Sequence, residues 1–436
     1  MNKYNSYKDS GVEWIGNVPS GWDNGRLGFY SNVYRGSGYQ YLNQVDDDSE
    51  LKKEKVVRIS DISDFNPIRC EYKEQFENYR IKPDNILIGG TGHYFGKSIY
   101  VTKEMEGLIH SYNIIRVVIK KQNSKYIQYW LSSSKIREQM DISVLGSGQP
   151  FIDIQGLKDI QILIPPLSEQ HQIVSFLDTK TSLIDSLIEK TQQKIELLKE
   201  KRTSLIDEVV TKGLNPNVEM KDSGVEWIGE IPSHWELPRL NNLGDFSKGK
   251  GITKDKIKES GHKCIRCGEI YTTYELRFNE TNSFIDDETS SESVLGFKGV
   301  LLFTGDGESL EEIGKCVVYE GEEELYIGGG INVFTPKQEK VIPIYLSYVM
   351  SSESVIFQKS RQGKGEIVVH IYSKQLKEIR LGLPPFTEQQ QIVEYLDEQT
   401  QLMDKSISIE EKRIELLKEY RQSLISEVVT GKRKVV

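Results

Sequence analysis

Two stretches of about 44 residues carry apolar side chains at alternating steps of three and four, and neither contains proline or glycine. They run from Ser168 to Lys212 and from Thr387 to Thr430. This spacing predicts α-helices, and at about 1.5 Å per residue each helix would be about 65 Å long. Eight of eleven such positions are apolar in each stretch: Val174, Leu177, Ile184, Ile188, Ile195, Leu198, Leu205 and Val209, then Val393, Leu396, Met403, Ile407, Ile414, Leu417, Leu424 and Val428.

The residues that flank these stretches are typical of helix ends. Prolines precede both, Ser168 and Thr387 are predicted N-caps, and Gly213 and Gly431 follow the last turns. An apolar seam with this spacing is typical of coiled coils and needs a partner. We expect the two helices to pair antiparallel, with a globular domain at each end. The alternative is that each helix packs only on its own domain.

The chain repeats itself. The segment from Lys8 to Gly16 recurs almost unchanged from Lys221 to Gly229, and each copy then reaches a Pro-Ser-x-Trp motif. A Pro-Pro pair with a following Glu-Gln, and the sequence Ile-Glu-Leu-Leu-Lys-Glu within each helix, recur at an offset of 219 residues. Two copies indicate an internal duplication, since a solenoid needs at least three.

Between these anchors the copies diverge in side chains but keep a common pattern. Short apolar runs that end in glycine-rich turns predict strands, as in 85–92 and 300–307, and helices are predicted over Tyr126–Met140 and Pro343–Gln358. The predicted fold is therefore α/β (α+β), with two copies of one globular domain and a long antiparallel two-helix coiled coil in a pseudo-twofold arrangement. The predicted boundaries are 1–160 and 215–380 for the domains, and 161–214 and 381–436 for the helices.

Composition limits the function. The 436 residues are 37% hydrophobic, which is enough for folded cores, and neither a membrane span nor a signal peptide is evident, so we expect a cytoplasmic protein. The net charge of −9 argues against simple electrostatic wrapping of nucleic acid. Lys248–Arg266 is an exception, with seven basic and two acidic residues.

One fold presented twice, with a constant frame and variable faces, suits the reading of two short DNA targets held at a fixed distance. The chain closely resembles the specificity subunit of type I restriction–modification systems along its whole length. The resemblance is carried by the repeated Gly-Val-Glu-Trp-Ile-Gly, by Leu-Ile-Pro-Pro-Leu-Ser-Glu-Gln from Leu163, by Leu-Pro-Pro-Phe-Thr-Glu-Gln from Leu383, and by the duplicated helix.

This resemblance implies that each variable segment is a target recognition domain for one half of a bipartite site, and that the helices set the gap. It also implies docking of two methyltransferase subunits, which supply S-adenosylmethionine and adenine methylation. Restriction subunits, with ATP and Mg²⁺, can join them. The chain itself would bind no cofactor and perform no chemistry.

The candidate DNA contacts are polar or basic residues in loops that differ between the copies. Arginine and lysine can contact phosphate or guanine, and glutamine can pair with adenine. The candidates are Arg35, Ser37, Thr91, His93, Tyr94, Ser147 and Gln149 in the first copy, and Lys248, Lys250, Thr304, Arg361 and Lys364 in the second. The candidate partner contacts are the Glu-Gln pairs at the helix starts: Glu169, Gln170, Glu388 and Gln389.

Two other kinds of site are disfavoured. The stretch Gly90–Ser98 lacks a P-loop, because Thr91 replaces a required glycine. Cys264 and Cys267 lack a second ligand pair and, on a strand, would face opposite sides, so no zinc site is expected. A coiled-coil scaffold whose ends bind proteins, and an enzyme with an unfamiliar site, remain the rival hypotheses.

Overall fold

The computed structural model describes residues 3–13, 15–38, 43–46, 50–134, 136, 152, 154–307, 313–363 and 369–435. The chain forms two compact units. Unit 1 comprises residues 1–192 and 411–436, and unit 2 comprises residues 193–410. Among the described residues, no helix has the length and apolar character that crossing a membrane requires.

Unit 1 contains a four-stranded sheet, a three-stranded sheet and two short antiparallel strand pairs. The four-stranded sheet is antiparallel, whereas the three-stranded sheet has one parallel pairing. In spatial order the strands are Ser31–Arg35, Ile114–Ile119, Asn85–Gly89 and Ser98–Tyr100, then Ile68–Glu71, Lys53–Val57 and Ile109–His110, with the pairs Tyr7–Asp9/Asn17–Pro19 and Asp23–Arg26/Gln161–Ile164. The α-helices before the long one are Leu27–Tyr30, Ser124–Leu131 and Ile154–Asp159.

Unit 2 repeats this plan with additional edge strands. Its strands are Gly244–Lys248, Ile331–Pro336, Leu301–Thr304, Cys316–Tyr319 and Arg277–Phe278, then Ser283–Ile285, His262–Ile265, Leu325–Ile327 and Val294–Gly296, with the pairs Met220–Asp222/Glu230–Pro232 and Asp306–Gly307/Val369–His370. Its shorter helices are Cys267–Thr272, Asp287–Glu292, Pro343–Met350, Glu353–Gln362 and Ser373–Leu376. The same strand order and the same parallel pairing confirm the predicted α/β duplication.

The two long helices are continuous over Leu167–Lys212 and Phe386–Val429. Each begins one residue before the predicted first residue. The predicted N-caps are wrong, because the first helical carbonyls belong to the prolines: Pro166 accepts from the Gln170 amide and Pro385 from the Gln389 amide. The predicted ends are confirmed, since Gly213 and Gly431 adopt positive φ angles of 80° and 70°.

Ion pairs within each unit show that the helices run antiparallel. In unit 2, Lys194 pairs with Glu410 and Arg202 pairs with Asp404. Residue numbers therefore rise along one helix in the direction in which they fall along the other. In unit 1, Arg421 pairs with Asp185. All the predicted seam residues are buried or half-buried.

The shorter predicted helices needed correction. The first ends at Leu131, not at Met140, which lies outside the described residues. The second is two helices, Pro343–Met350 and Glu353–Gln362. The hydroxyls of Ser351 and Ser352 donate to the carbonyls of Tyr348 and Val349, and such side-chain bonds compete with the helical ladder.

The largest core of each unit lies where the variable segment between the repeated anchors (here called the recognition segment, after the predicted role) meets the long helices. In unit 1, Trp22 and Trp130 pack with Leu177 and with Leu424 and Val428 from the end of the chain. In unit 2, Trp235 and Tyr345 occupy the corresponding core. The helices are therefore part of both folds, and they position the recognition segments.

Candidate nucleic-acid interface

The two predicted loops after the first sheet strand differ in accessibility. Arg35 donates to the Ile152 carbonyl at 3.1 Å and lies 5.1 Å from the Tyr112 ring centroid, while Ser37 is fully buried. Lys248 and Lys250 are exposed and make no ion pair among the described residues. The second copy therefore offers two free cations where the first holds its polar residues inside the fold.

The glycines Gly36 and Gly249 in these loops allow a close backbone contact that a side chain would prevent. A Cβ atom on Gly36 would lie 2.2 Å from the Ser111 carbonyl oxygen, and one on Gly249 would lie 2.1 Å from that of Gly328. The backbone at each position therefore packs directly against a neighbouring strand end. Packing within the fold therefore explains why these positions are glycine.

The second pair of loops follows the strands Asn85–Gly89 and Leu301–Thr304. In unit 1, His93 is exposed, Thr91 and Tyr94 are half-exposed, and the Lys97 ammonium lies 5.1 Å from the Tyr94 ring centroid. In unit 2, the predicted contact Thr304 is fully buried, and its hydroxyl donates to Tyr271 at 2.7 Å. Asp306, two positions after Thr304, is exposed.

The sequence analysis did not predict one residue that lies against the unit 2 turn, His370. His370 Nδ1 lies 2.6 Å from Asp306 Oδ1, across the strand pair Asp306–Gly307/Val369–His370. The two residues are 64 positions apart and the strands contain two residues each, so no local pattern could have brought them together.

Arg361 lies in an exposed aromatic cluster. Its guanidinium carbon is 5.6 Å from the ring centroids of both Trp227 and Phe357, which are about two-fifths exposed. Trp227 belongs to the second copy of the repeated Gly-Val-Glu-Trp-Ile-Gly motif. Cation–π contact fixes the plane of the guanidinium and leaves its N–H edge for an anion such as phosphate. Three other candidates, Ser147, Gln149 and Lys364, lie outside the described residues.

The Glu-Gln pairs at the helix starts have internal partners. Gln170 is fully buried, its Oε1 accepts from the Asn123 amide at 2.9 Å, and its Nε2 donates to the Pro165 carbonyl at 2.8 Å. Gln389 repeats this arrangement with Ile342 and Pro384.

The glutamates of these pairs are half-exposed. Glu169 accepts from Tyr4 and Trp22, whereas Glu388 is hydrogen-bonded to His234 at 2.8 Å. Burial, followed by the hydrogen bond to Glu169, raises the pKa of Tyr4 far above its usual range. Tyr4 therefore stays a neutral donor.

A tyrosine and an aspartate attach each recognition segment to its long helix. Tyr129 donates to Asp178 at 2.7 Å, and Tyr348 donates to Asp397 at 2.6 Å. The cation that pairs with the carboxylate differs between the copies. Lys125, on the helix Ser124–Leu131, forms an ion pair with Asp178, whereas Arg277, on a sheet strand, forms one with Asp397. The Tyr–Asp hydrogen bond is therefore common to the two copies, whereas the cation that pairs with the aspartate differs.

The two closely spaced cysteines are not arranged as the sequence suggested. Cys264 lies on a strand, but Cys267 is the first residue of a helix. Burial raises the pKa of Cys264 to about 12 and also raises that of Cys267, so both remain thiols. In the part of the chain that the structure describes, no group of three or more His, Cys, Asp or Glu side chains could hold a metal ion.

Comparison with known proteins gives a consistent result. The family model for the type I restriction modification DNA specificity domain matches residues 20–197 and again 232–419. The MjaVIII specificity subunit of Methanocaldococcus jannaschii is 26% identical over 428 residues, which cover 96% of this chain and 94% of that protein. The EcoKI specificity subunit of Escherichia coli is 24% identical, covering 88% and 83%.

Solved structures share the fold. A chain from a structure of a type I R-M system has a TM-score of 0.73 at 17% identity and covers 95% of this chain and 99% of that one. The HsdS subunit from Thermoanaerobacter tengcongensis has a TM-score of 0.52 at 16% identity, covering 95% and 98%. These matches confirm the family resemblance that the repeated motifs indicated.

Proposed function

Because the chain belongs to the family of type I restriction–modification DNA specificity domains, we propose that it selects the DNA sequence on which a methyltransferase acts. It recognises a bipartite site in the cytoplasm, with one half-site for each recognition domain, and it performs no chemistry. We assign the recognition domains to 1–160 and 215–380, and the spacer helices to 161–214 and 381–436. S-adenosylmethionine, ATP and Mg²⁺ act in its partner subunits.

The observation that carries this proposal is a repeated frame with different exposed chemistry. The sheet order repeats, whereas the ends of corresponding strands and the turns beside them expose His93 in unit 1 and Lys248, Lys250 and Asp306 in unit 2. An active site present in each copy would need the same reactive groups in both. A protein that reads two different half-sites needs different ones.

Free cations supply the phosphate contacts in this proposal. Lys248, Lys250 and Arg361 are exposed, and none forms an ion pair among the described residues. Three cations on a chain of net charge −9 give only weak binding at physiological salt. We therefore expect the methyltransferase subunits to supply most of the phosphate contacts, and the chain alone to bind DNA weakly.

Single-molecule sequencing of methylated adenines tests the proposal in cells that express the chain with its cognate methyltransferase. We expect one split motif, with marked adenines on opposite strands of its two halves. An intact complex with an active methyltransferase but without any motif would instead support the protein-binding scaffold.

The long helices also carry a repeated apolar surface suited to partner docking. Leu183 and Leu197 on the first helix correspond to Leu402 and Leu416 on the second, and all four are more than half exposed. Leu183 and Leu416 belong to unit 1, and Leu197 and Leu402 belong to unit 2, so each unit exposes one such leucine from each helix. We propose that this surface, together with Glu169 and Glu388 at the helix starts, binds two methyltransferase subunits, one for each repeat.

Charged substitutions test this docking surface. Leu183→Lys and Leu402→Lys should each weaken the binding of one methyltransferase, while the fold survives because both positions are exposed. Ser182→Lys and Gln401→Lys place the same charge on the neighbouring exposed position and serve as matched controls. Mass determination of the assembled complex measures the outcome, and equal loss in the controls would contradict the assigned surface.

A further inference from the structure

The turns after the strands Asn85–Gly89 and Leu301–Thr304 are held by the same backbone hydrogen bonds. In unit 1, the Gly90 amide donates to Asn113 and the Gly90 carbonyl accepts from Ile152. In unit 2, the Gly305 amide donates to Gly330 and the Gly305 carbonyl accepts from Ile371. The next residue is Thr91 in one copy and Asp306 in the other, so one backbone position carries two different side chains.

Asp306 is fixed in place although it is exposed. Its Oδ1 is 2.6 Å from His370 Nδ1, and the side chains of Asp306 and His370 are 52% and 41% exposed. The His370 ring also stacks on exposed Tyr372, with ring planes 15° apart. An exposed carboxylate without a binding role needs no such orientation, because water can donate hydrogen bonds to it in every rotamer.

A second layer of hydrogen bonds holds the backbone of the pair. The Tyr271 hydroxyl donates to the Asp306 carbonyl at 2.5 Å and accepts from the buried Thr304 hydroxyl. Asn332 donates to the carbonyl of Ile371, next to His370, and Ser373 donates to Asn332. The backbone on both sides of the exposed pair is therefore held by side-chain hydrogen bonds, the kind of support that positions residues which read a ligand.

The chemistry of the pair limits what it can bind. A carboxylate on a DNA-facing loop is repelled by phosphate, so it lowers affinity unless it accepts a hydrogen bond from a base. The donors that a carboxylate finds in the major groove are the exocyclic amino groups of cytosine and adenine. The bond from His370 to Oδ1 orients the carboxylate and leaves Oδ2 able to accept a hydrogen bond from a base.

We propose that Asp306 determines specificity in unit 2 by accepting a hydrogen bond from the exocyclic amino group of one cytosine or adenine, and that His370 is its positioning residue. This inference rests on the proposed function. It accounts for an acidic residue at the position where the first copy has Thr91, because the two half-sites then differ at the corresponding base.

Competition binding with the complete complex of the chain and its methyltransferase subunits tests the proposal. The probes are duplexes of the methylated motif in which each base pair is replaced in turn. Asp306→Asn should lower the discrimination at a single base pair of the unit 2 half-site by about tenfold. The other half-site and the gap should remain unchanged. Glu339→Gln, which removes an exposed negative charge elsewhere in unit 2, should leave every position unchanged.

Variants of His370 separate positioning from folding. His370→Asn retains a donor near the position of Nδ1 and should preserve the discrimination, whereas His370→Ala should reduce it at the same base pair as Asp306→Asn. Equal discrimination in the wild type, Asp306→Asn and Asp306→Ala would overturn the inference. So would a uniform loss of affinity at all positions. A wild-type complex without sequence preference would refute the proposed function instead.

Discussion

Replacement of Gln170 by leucine should destabilise unit 1, and Gln389→Leu should destabilise unit 2. Each glutamine is buried at the start of a long helix and joins that helix to the recognition segment. Leucine is similar in size but has neither a donor nor an acceptor. In unit 1, the Asn123 amide and the Pro165 carbonyl would both lose their side-chain partner.

The size of the effect follows from the groups left without a partner. A buried polar group without a hydrogen bond costs about 1–3 kcal/mol. Two such groups, less the gain from burying a more apolar side chain, give about 2–4 kcal/mol of lost stability. Every 1.4 kcal/mol is a factor of ten, so amide protection in the affected unit should fall roughly 30- to 900-fold.

Hydrogen exchange resolved by segment is the appropriate assay, because it reports the two units separately. Gln172→Leu and Gln391→Leu make the same substitution two residues further along, at exposed positions, and should leave protection unchanged. The reasoning would be refuted if Gln170→Leu kept normal protection but lost methyltransferase binding. Gln170 would then act in docking, as the sequence alone suggested.

Three further predictions concern pH and length. Burial lowers the pKa of His110 to about 4, so between about pH 6.5 and pH 4 the unfolded chain binds a proton that the folded chain does not. The free energy of unfolding of unit 1 should therefore fall by up to about 3 kcal/mol over this range. His110→Gln should flatten this pH dependence in urea titrations. Burial also lowers the pKa of Lys359 to about 8, so unit 2 should gain stability from about pH 8 to about pH 10.5, and Lys359→Met should abolish the gain. One heptad inserted after Lys199, with another after Ser406, should lengthen the unread gap by about three base pairs, since seven helical residues span about 10 Å. Altered half-sites at a constant gap, read from methylated adenines, would contradict that prediction.

The elements that sequence predicted well are those with long or repeated patterns. The two long helices, their common register and their terminal glycines come from spacing over more than 40 residues, where local errors cancel. The duplication predicted the shared topology because both copies keep the same anchors. The helix starts were placed less well, since Ser168 and Thr387 look like caps while the proline carbonyls perform that task.

Side-chain roles were harder to predict because they depend on contacts between distant residues. Thr304 is the last residue of a strand and Ser37 lies just after one, and both polar residues are buried. Gln170 and Gln389 follow exposed prolines and look accessible, but each faces inward to a backbone amide 47 residues away. Asp306 and His370 meet only through a two-residue strand pair, which is too short to leave a pattern in the sequence.

The division of the chain between the units has a consequence for its synthesis. Unit 2 is one continuous segment, residues 193–410, whereas unit 1 needs residues 411–436 to complete it. Leu424, Ile425, Val428 and Val429 fill the core around Trp22 and Trp130. During synthesis, residues 1–192 of unit 1 therefore keep part of their apolar core exposed until residues 411–436 have left the ribosome. The half of the protein that is translated second can finish folding first.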